Sequence, residues 1–174
     1  DAPIYTTLYD RNATGGVFDG NVIRTSFLQS MPLATRWHHL YSLLMPLAVE
    51  QFATSAFDTV ISLSASFAKG VITSPDTRHV SYCLTPPRFL WDDSQRFVSR
   101  FQSVLPMRRV APLGLTYLRM WDRQAAERVD EWIAISECVR RRIQKYYNKD
   151  ALVVHPPVNV GKFSVSHEPG SYWL

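Results

Sequence analysis

The stretch "HVSYCLTPPRFLWDD", His79–Asp93, decides the reading of this chain. It opens as a buried strand and stops at Thr85-Pro86-Pro87, because proline cannot continue a hydrogen-bonded ladder. Each proline also pushes its predecessor into extended geometry, so the strand ends in a stiff loop. That loop fixes Arg88, Trp91 and Asp92 at little entropic cost. Arg88 and Asp92 stand four residues apart, the spacing of an ion pair on a helix. Two readings fit this equally: a rigid strand-to-helix turn, or a binding site at the carboxyl end of a strand.

Working outward, strands and helices alternate. "FDTVISLSA" (Phe57–Ala65) reads as the strand before it, and "EWIAIS" and "ALVVHPPV" as strands after it. "APIYTTLYD" (Ala2–Asp10) is a further strand, "NATGGVFDGN" a turn-rich loop, and "VIRTSFL" a short strand. Trp37, Leu40, Leu44 and Ala48 give a helical pattern over Thr35–Phe52, which Pro46 should kink or break. "DDSQRFVSRFQSVL" reads as an amphipathic helix with Phe97, Phe101 and Leu105 on one face. "RRVAPLGLTYLRMWDRQAAERVD" reads as a long helix opening near Pro112. Ser136 caps a last helix whose apolar stripe is Val139, Ile143 and Tyr147. The alternation predicts an α/β domain built on a parallel sheet.

The bulk properties set limits. The 174 residues suffice for one domain with its own core, and 46% hydrophobic and 20% charged residues are ordinary globular composition. No apolar run reaches the roughly 20 residues that span a bilayer. Asp1 opens the chain without a signal-peptide pattern, as a fragment of a longer chain would. Cys83 and Cys138, far apart in apolar stretches, read as two buried free thiols of a reducing compartment. The net charge of +4 favours an anionic partner without naming it. There is no P-loop, GxSxG, GxGxxG or CxxC. His38 and His39 are neighbours, so on a helix they diverge and a packing or surface role is expected.

In a parallel sheet, ligands bind beyond the carboxyl ends of the strands. "SLSASFAKG" lies there, with Ser62, Ser64, Ser66, Lys69 and Gly70. Hydroxyls, a helix start and a lysine suit phosphate or sugar hydroxyls. The plainer reading makes the serines helix caps and leaves Lys69 in solvent. "LPMRRVAPLGLTYLRMW" mixes apolar bulk with Arg108, Arg109 and Arg119. It suits either an anionic membrane surface or a partly buried helix.

"SYCLTPPRFLWDD" resembles the "YCHTPPRYLWD" motif of family-4 glycosyltransferases with the GT-B fold. "MPLAVEQF", "FDTVISLSASFAKGVIT", "LRMWDRQAAERVDEWIAISECVRRRIQKYY" and "VVHPPVNVGKF" continue the resemblance in order over nearly the whole chain. Among these enzymes it is most similar to mannosyltransferases of bacterial surface-polysaccharide and O-antigen assembly. The resemblance implies one Rossmann-like half of a GT-B fold, a parallel sheet flanked by helices over residues 1–165. Residues 166–174 would begin the link to a C-terminal donor domain. It implies a retaining, metal-independent transfer of mannose or a related hexose, without a cofactor. The donor would be a nucleotide sugar such as GDP-mannose, held mainly by the C-terminal domain. The acceptor would be a saccharide or lipid-linked saccharide, with no nucleic acid involved. The implied location is the cytoplasm, or the inner face of the plasma membrane.

Taken together, the strand-end reading and the resemblance give as cleft candidates Ser64, Ser66, Lys69, Thr85, Arg88, Asp92 and Asp122. The family commonly has histidine where this chain has Leu84, so no catalytic residue is assigned. A second expectation of a different class follows: a catalytically silent GT-B half serving as a binding or assembly module.

Overall fold

The computed structural model describes residues 2–95 and 105–162. Four strands make one all-parallel sheet in the order β3-β4-β5-β6: β3 Thr59–Ser64, β4 Arg78–Cys83, β5 Glu131–Ala134 and β6 Leu152–Val153. β1 (Ile4–Thr6) and β2 (Ile23–Thr25) form a separate parallel pair. The α/β expectation holds, with helices flanking a parallel sheet.

β3 and β4 pair along their full lengths, from Thr59 beside Arg78 to Ser64 beside Cys83. The Leu84 amide adds one more bond, donating to the Ser64 carbonyl at 2.8 Å before the prolines end the ladder. β6 is two residues long, much shorter than the apolar run "ALVVHPPV", and Pro156 and Pro157 bar its extension beyond His155.

Register separates the two faces of this sheet. His79, Ser81, Cys83, Trp132 and Ala134 are buried on one face. There the core cluster joins Cys83, Trp132 and Ala134 to Val139, Ile143 and Tyr147 of α4 (Glu137–Tyr147). Ile61, Leu63 and Leu152 belong to the other face and are 72%, 63% and 67% exposed.

The helices follow local rules, with two corrections. Thr35–Phe52 is not one helix: a 3-10 segment, His38–Leu44, gives way to α1 (Met45–Glu50), and Pro46 sits in the first turn of α1. Proline is tolerated there because its missing N–H would have no intrahelical partner. The long helix, α3 (Leu105–Glu127), follows the short α2 (Arg88–Trp91) and does not open at Pro112; it carries Pro112 inside. The expected helix through Phe97 and Phe101 lies outside the described residues, as does the tail from 163 to 174.

Ser136 caps α4 as expected, its Oγ accepting the Val139 amide at 3.3 Å. Asn148 ends that helix in the left-handed region at φ 56, where asparagine is tolerated. The thiols differ from expectation: Cys83 is buried but Cys138 is exposed, because it lies off the Val139–Ile143–Tyr147 stripe. His38 and His39 are both exposed. Among the described residues no helix is long and apolar enough to cross a membrane.

Candidate functional site

The parallel pairing of β3 and β4 puts Ser64, Ser66 and Lys69 on the same sheet edge as Thr85 and Arg88, the carboxyl edge. What happens next divides the candidates into two groups, one sealed and one open.

The sealed group centres on Asp122. Lys69 lies in a single 3-10 turn, Ala68–Gly70, which sends its side chain inward, and both Lys69 and Asp122 side chains are 1% exposed. Their ammonium and carboxylate pair directly. Lys69 Nζ also donates to the Ser66 carbonyl at 2.8 Å and lies 5.3 Å from the Tyr147 ring centre. Asp122 Oδ2 accepts from Trp91 Nε1 at 2.9 Å and from the Tyr147 hydroxyl at 2.8 Å. Burial pushes the neighbouring Cys83 thiol up to about 12, against the pull of the Lys69 charge. Burial and the Asp122 carboxylate likewise hold the Tyr147 hydroxyl well above its usual range.

Gly70 makes this packing possible. A Cβ there would stand 2.3 Å from Cζ2 of Trp121, so only glycine lets α3 approach the turn that carries Lys69. Arg128 clamps the same place, donating from Nη1 to the Gly70 carbonyl at 2.8 Å and to Glu50 Oε1 at 2.6 Å. Glu50 also accepts Trp121 Nε1 at 2.7 Å. Lys69 is therefore neither a solvated lysine nor a free charge at a cleft. Ser64, Ser66 and Asp122 are brought together with it, but inside the molecule.

The open group lies just outside. Arg142 of α4 donates from Nη1 to Thr85 Oγ1 at 3.1 Å and pairs through Nη2 with Asp92 at 3.1 Å. The side chains of Arg142 and Asp92 are 30% and 25% exposed. Asp92 also accepts the Tyr146 hydroxyl, which raises the pKa of that phenol. Tyr146 stacks on Trp91, ring centres 4.9 Å apart and planes at 15°. Trp91 thus joins both groups, its indole N–H pointing to Asp122 and its face covered by Tyr146. The expected Arg88–Asp92 pair does not form. Arg88 pairs with Asp93 at 2.9 Å, with 58% of its side chain exposed. Helical spacing does reach Asp92, whose amide donates to the Arg88 carbonyl at 2.9 Å, but its carboxylate is taken by Arg142 and Tyr146 of α4.

Arg142, Tyr146 and Tyr147 were not among the residues singled out for the site from the sequence. Tyr147 was assigned to the apolar stripe; Arg142 and Tyr146 flank it at i and i+4, the spacing that places two side chains on one helical face.

Charges balance across the open group: Arg88 faces Asp93, and Arg142 faces Asp92. Each guanidinium already has a carboxylate partner, so a phosphate would compete with an acid for either one. A neutral polyol suits the group better, since carboxylates accept and guanidinium N–H groups donate to hydroxyls. A concavity of about 280 Å³ lies apart from this group, beyond the carboxyl end of β1, and is lined by Thr7, Leu8, Tyr9, Asp10, Thr35, His38 and Met45. Asp10 there is oriented by the amides of Asn12 and Ala13, at 2.9 and 3.2 Å. Among the described residues, no group of three or more His, Cys, Asp or Glu side chains gathers as a metal site. Compared with family models, curated proteins and solved structures, the chain matches none.

Proposed function

We propose that this chain is the N-terminal, acceptor-side half of a retaining glycosyltransferase of the GT-B type. The full protein moves mannose or a related hexose from a nucleotide donor to a saccharide or lipid-linked saccharide. The reading rests on the sequence resemblance. The observation that supports it best is the open, charge-balanced group of Thr85, Asp92 and Arg142 at the carboxyl edge of a parallel sheet. Such an edge is where α/β domains bind ligands, and this donor set suits hydroxyls better than phosphates. Donor phosphates then belong to the other half, and transfer takes place at the cytoplasmic face of the membrane.

The test is transfer from GDP-mannose by the intact protein onto a lipid-linked saccharide, with the product anomer assigned by NMR. Retained configuration, and loss of transfer in Asp92→Asn, are the expected results. Leu84, at the end of β4, favours a second reading, because leucine cannot hydrogen-bond a transferred sugar as histidine would. Saccharide binding without transfer from any GDP- or UDP-hexose would make the chain a silent binding module.

A further inference from the structure

The concavity at the end of β1 is built from backbone that side chains hold in place. Ser26 Oγ donates to the Thr7 carbonyl at 2.7 Å, and Thr6 Oγ1 to the Leu8 carbonyl at 2.9 Å. The Gln29 amide brackets Tyr9, accepting its N–H at 2.8 Å and donating to its carbonyl at 3.0 Å. Residues 7–10 are therefore fixed without belonging to a helix or a strand, as a binding loop must be. The rest of the lining follows a strained turn. Leu33 has φ 53, costly for a branched side chain, and its carbonyl accepts the Arg36 and Trp37 amides at 3.1 and 2.8 Å. That turn brings Thr35 and His38 to the same concavity as Asp10.

The lining is mixed in chemistry. Leu8 and Met45 supply apolar surface and belong with the core cluster around Leu28 and Ala48. Asp10 gives Oδ1 to two amides, and its Oδ2 has no hydrogen-bond partner among the described residues. The side chains of Thr7, Thr35 and His38 make no hydrogen bond among the described residues either. No Lys or Arg lines the concavity, and Arg11 beside it pairs with Asp19 at 2.6 Å, so a phosphate finds no cation. Its volume is at the small end of ligand pockets, which run from about 300 to 1,000 Å³. A nucleotide sugar is too large and too charged for it. One hydroxylated ring fits, with an apolar face for Leu8 and Met45 and hydroxyls for Asp10, Thr35 and His38.

Its place in the fold agrees with this. Tyr5 of β1 packs against Phe57, just before β3, while Leu8, just after β1, and Phe67, just after β3, pack on one core cluster. β1 and β3 therefore run in the same sense, and the concavity lies at the edge that carries Thr85 and Asp92. Phe67 continues toward that group, its ring centre 6.2 Å from that of Phe89, the neighbour of Arg88. We propose that the concavity is a second saccharide subsite, holding a sugar unit other than the one that reacts, with Asp10 accepting from its hydroxyls. The choice of an acceptor sugar rests on the acceptor-side reading above; saccharide binding itself does not require transfer.

The test is NMR titration of the intact protein with methyl α-mannopyranoside, read at the imidazole signals of His38, which His38→Gln identifies by their loss. A saturable shift is expected. Asp10→Asn should weaken binding at least roughly tenfold, because asparagine keeps an oxygen for the amides of Asn12 and Ala13 but loses the charged acceptor. Thr35→Val should weaken it roughly threefold. Asp76→Asn, at an exposed carboxylate outside the concavity, should leave it unchanged. In transfer assays Asp10→Asn should raise KM at least roughly tenfold for an acceptor of several sugar units. No saturable shift at His38, equal binding in Asp10→Asn, displacement of the sugar by inorganic phosphate, or an unchanged KM would each overturn the proposal. A saturable shift, weakened in Asp10→Asn, in a protein that transfers no hexose would uphold the saccharide site and defeat the glycosyltransferase reading alone.

Discussion

Lys69–Asp122 and Arg142–Asp92 are both cation–aspartate pairs within reach of Trp91, and they differ in burial. The first is sealed at 1% exposure on each side, with Asp122 also accepting from Trp91 and Tyr147. The second keeps 30% and 25% of its side chains in solvent, with Arg142 also donating to Thr85 and Asp92 also accepting from Tyr146. A sealed pair offers nothing to a ligand, but it ties the turn after β3 to α3, to α4 and to Trp91. An open pair contributes little to stability and remains available. One motif therefore supplies both an anchor and a contact surface, with Trp91 as the joint.

The largest effect should come from breaking the anchor. Asp122→Ala leaves the Lys69 ammonium buried and unpaired, which costs about 3–5 kcal/mol. Urea unfolding measures it, and a loss below about 1 kcal/mol, the range of an exposed pair, would erase the contrast. The double variant Lys69→Met, Asp122→Leu should recover most of that loss, since neither charge is then stranded. Next comes Gly70→Ala, whose Cβ would overlap the Trp121 ring. Overpacking of this kind costs about 1–3 kcal/mol. Unchanged stability would mean that α3 can retreat from the turn without penalty.

A smaller effect sharpens the picture of the sheet beneath both pairs. His79 is fully buried with Nε2 2.9 Å from Ser62 Oγ, and burial holds its pKa below the usual 6.5. The unfolded chain therefore binds a proton before the folded one does. Stability should be unaffected above pH 6.5 and fall as pH drops below it, by at most ~1.4 kcal/mol per pH unit for one proton. In His79→Gln that part of the slope should vanish. An identical slope in the variant would assign the effect to another group.

Much of the fold was legible because β-branched and aromatic runs, prolines and a serine cap act locally. β3, β4, β5 and the Ser136 cap are of this kind. Pro112 misled because proline favours a helix's first turn, yet here the helix continues on both sides of it. The site was legible only as a neighbourhood. Lys69 in a serine-rich loop reads as solvated, and only Gly70 packed against Trp121, distant in sequence, draws it inside. Asp122 carried a local sign: a carboxylate on the helical face of Leu118, Trp121 and Ala125 needs a buried partner. The partners of Asp92 depend on where α4 docks, and that is not encoded in the spacing of "RFLWDD".

The central claim is that the open pair serves a ligand and the sealed pair serves the fold. Arg142→Ala in the intact protein tests it, with sugar transfer and unfolding free energy measured on the same preparation. The account predicts a stability change of about 0–1 kcal/mol and a fall in transfer of roughly one hundred-fold, the loss of a charged hydrogen bond at the reacting complex. Normal transfer, with or without a change in stability, would contradict it and leave "TPPRFLWDD" as a structural turn.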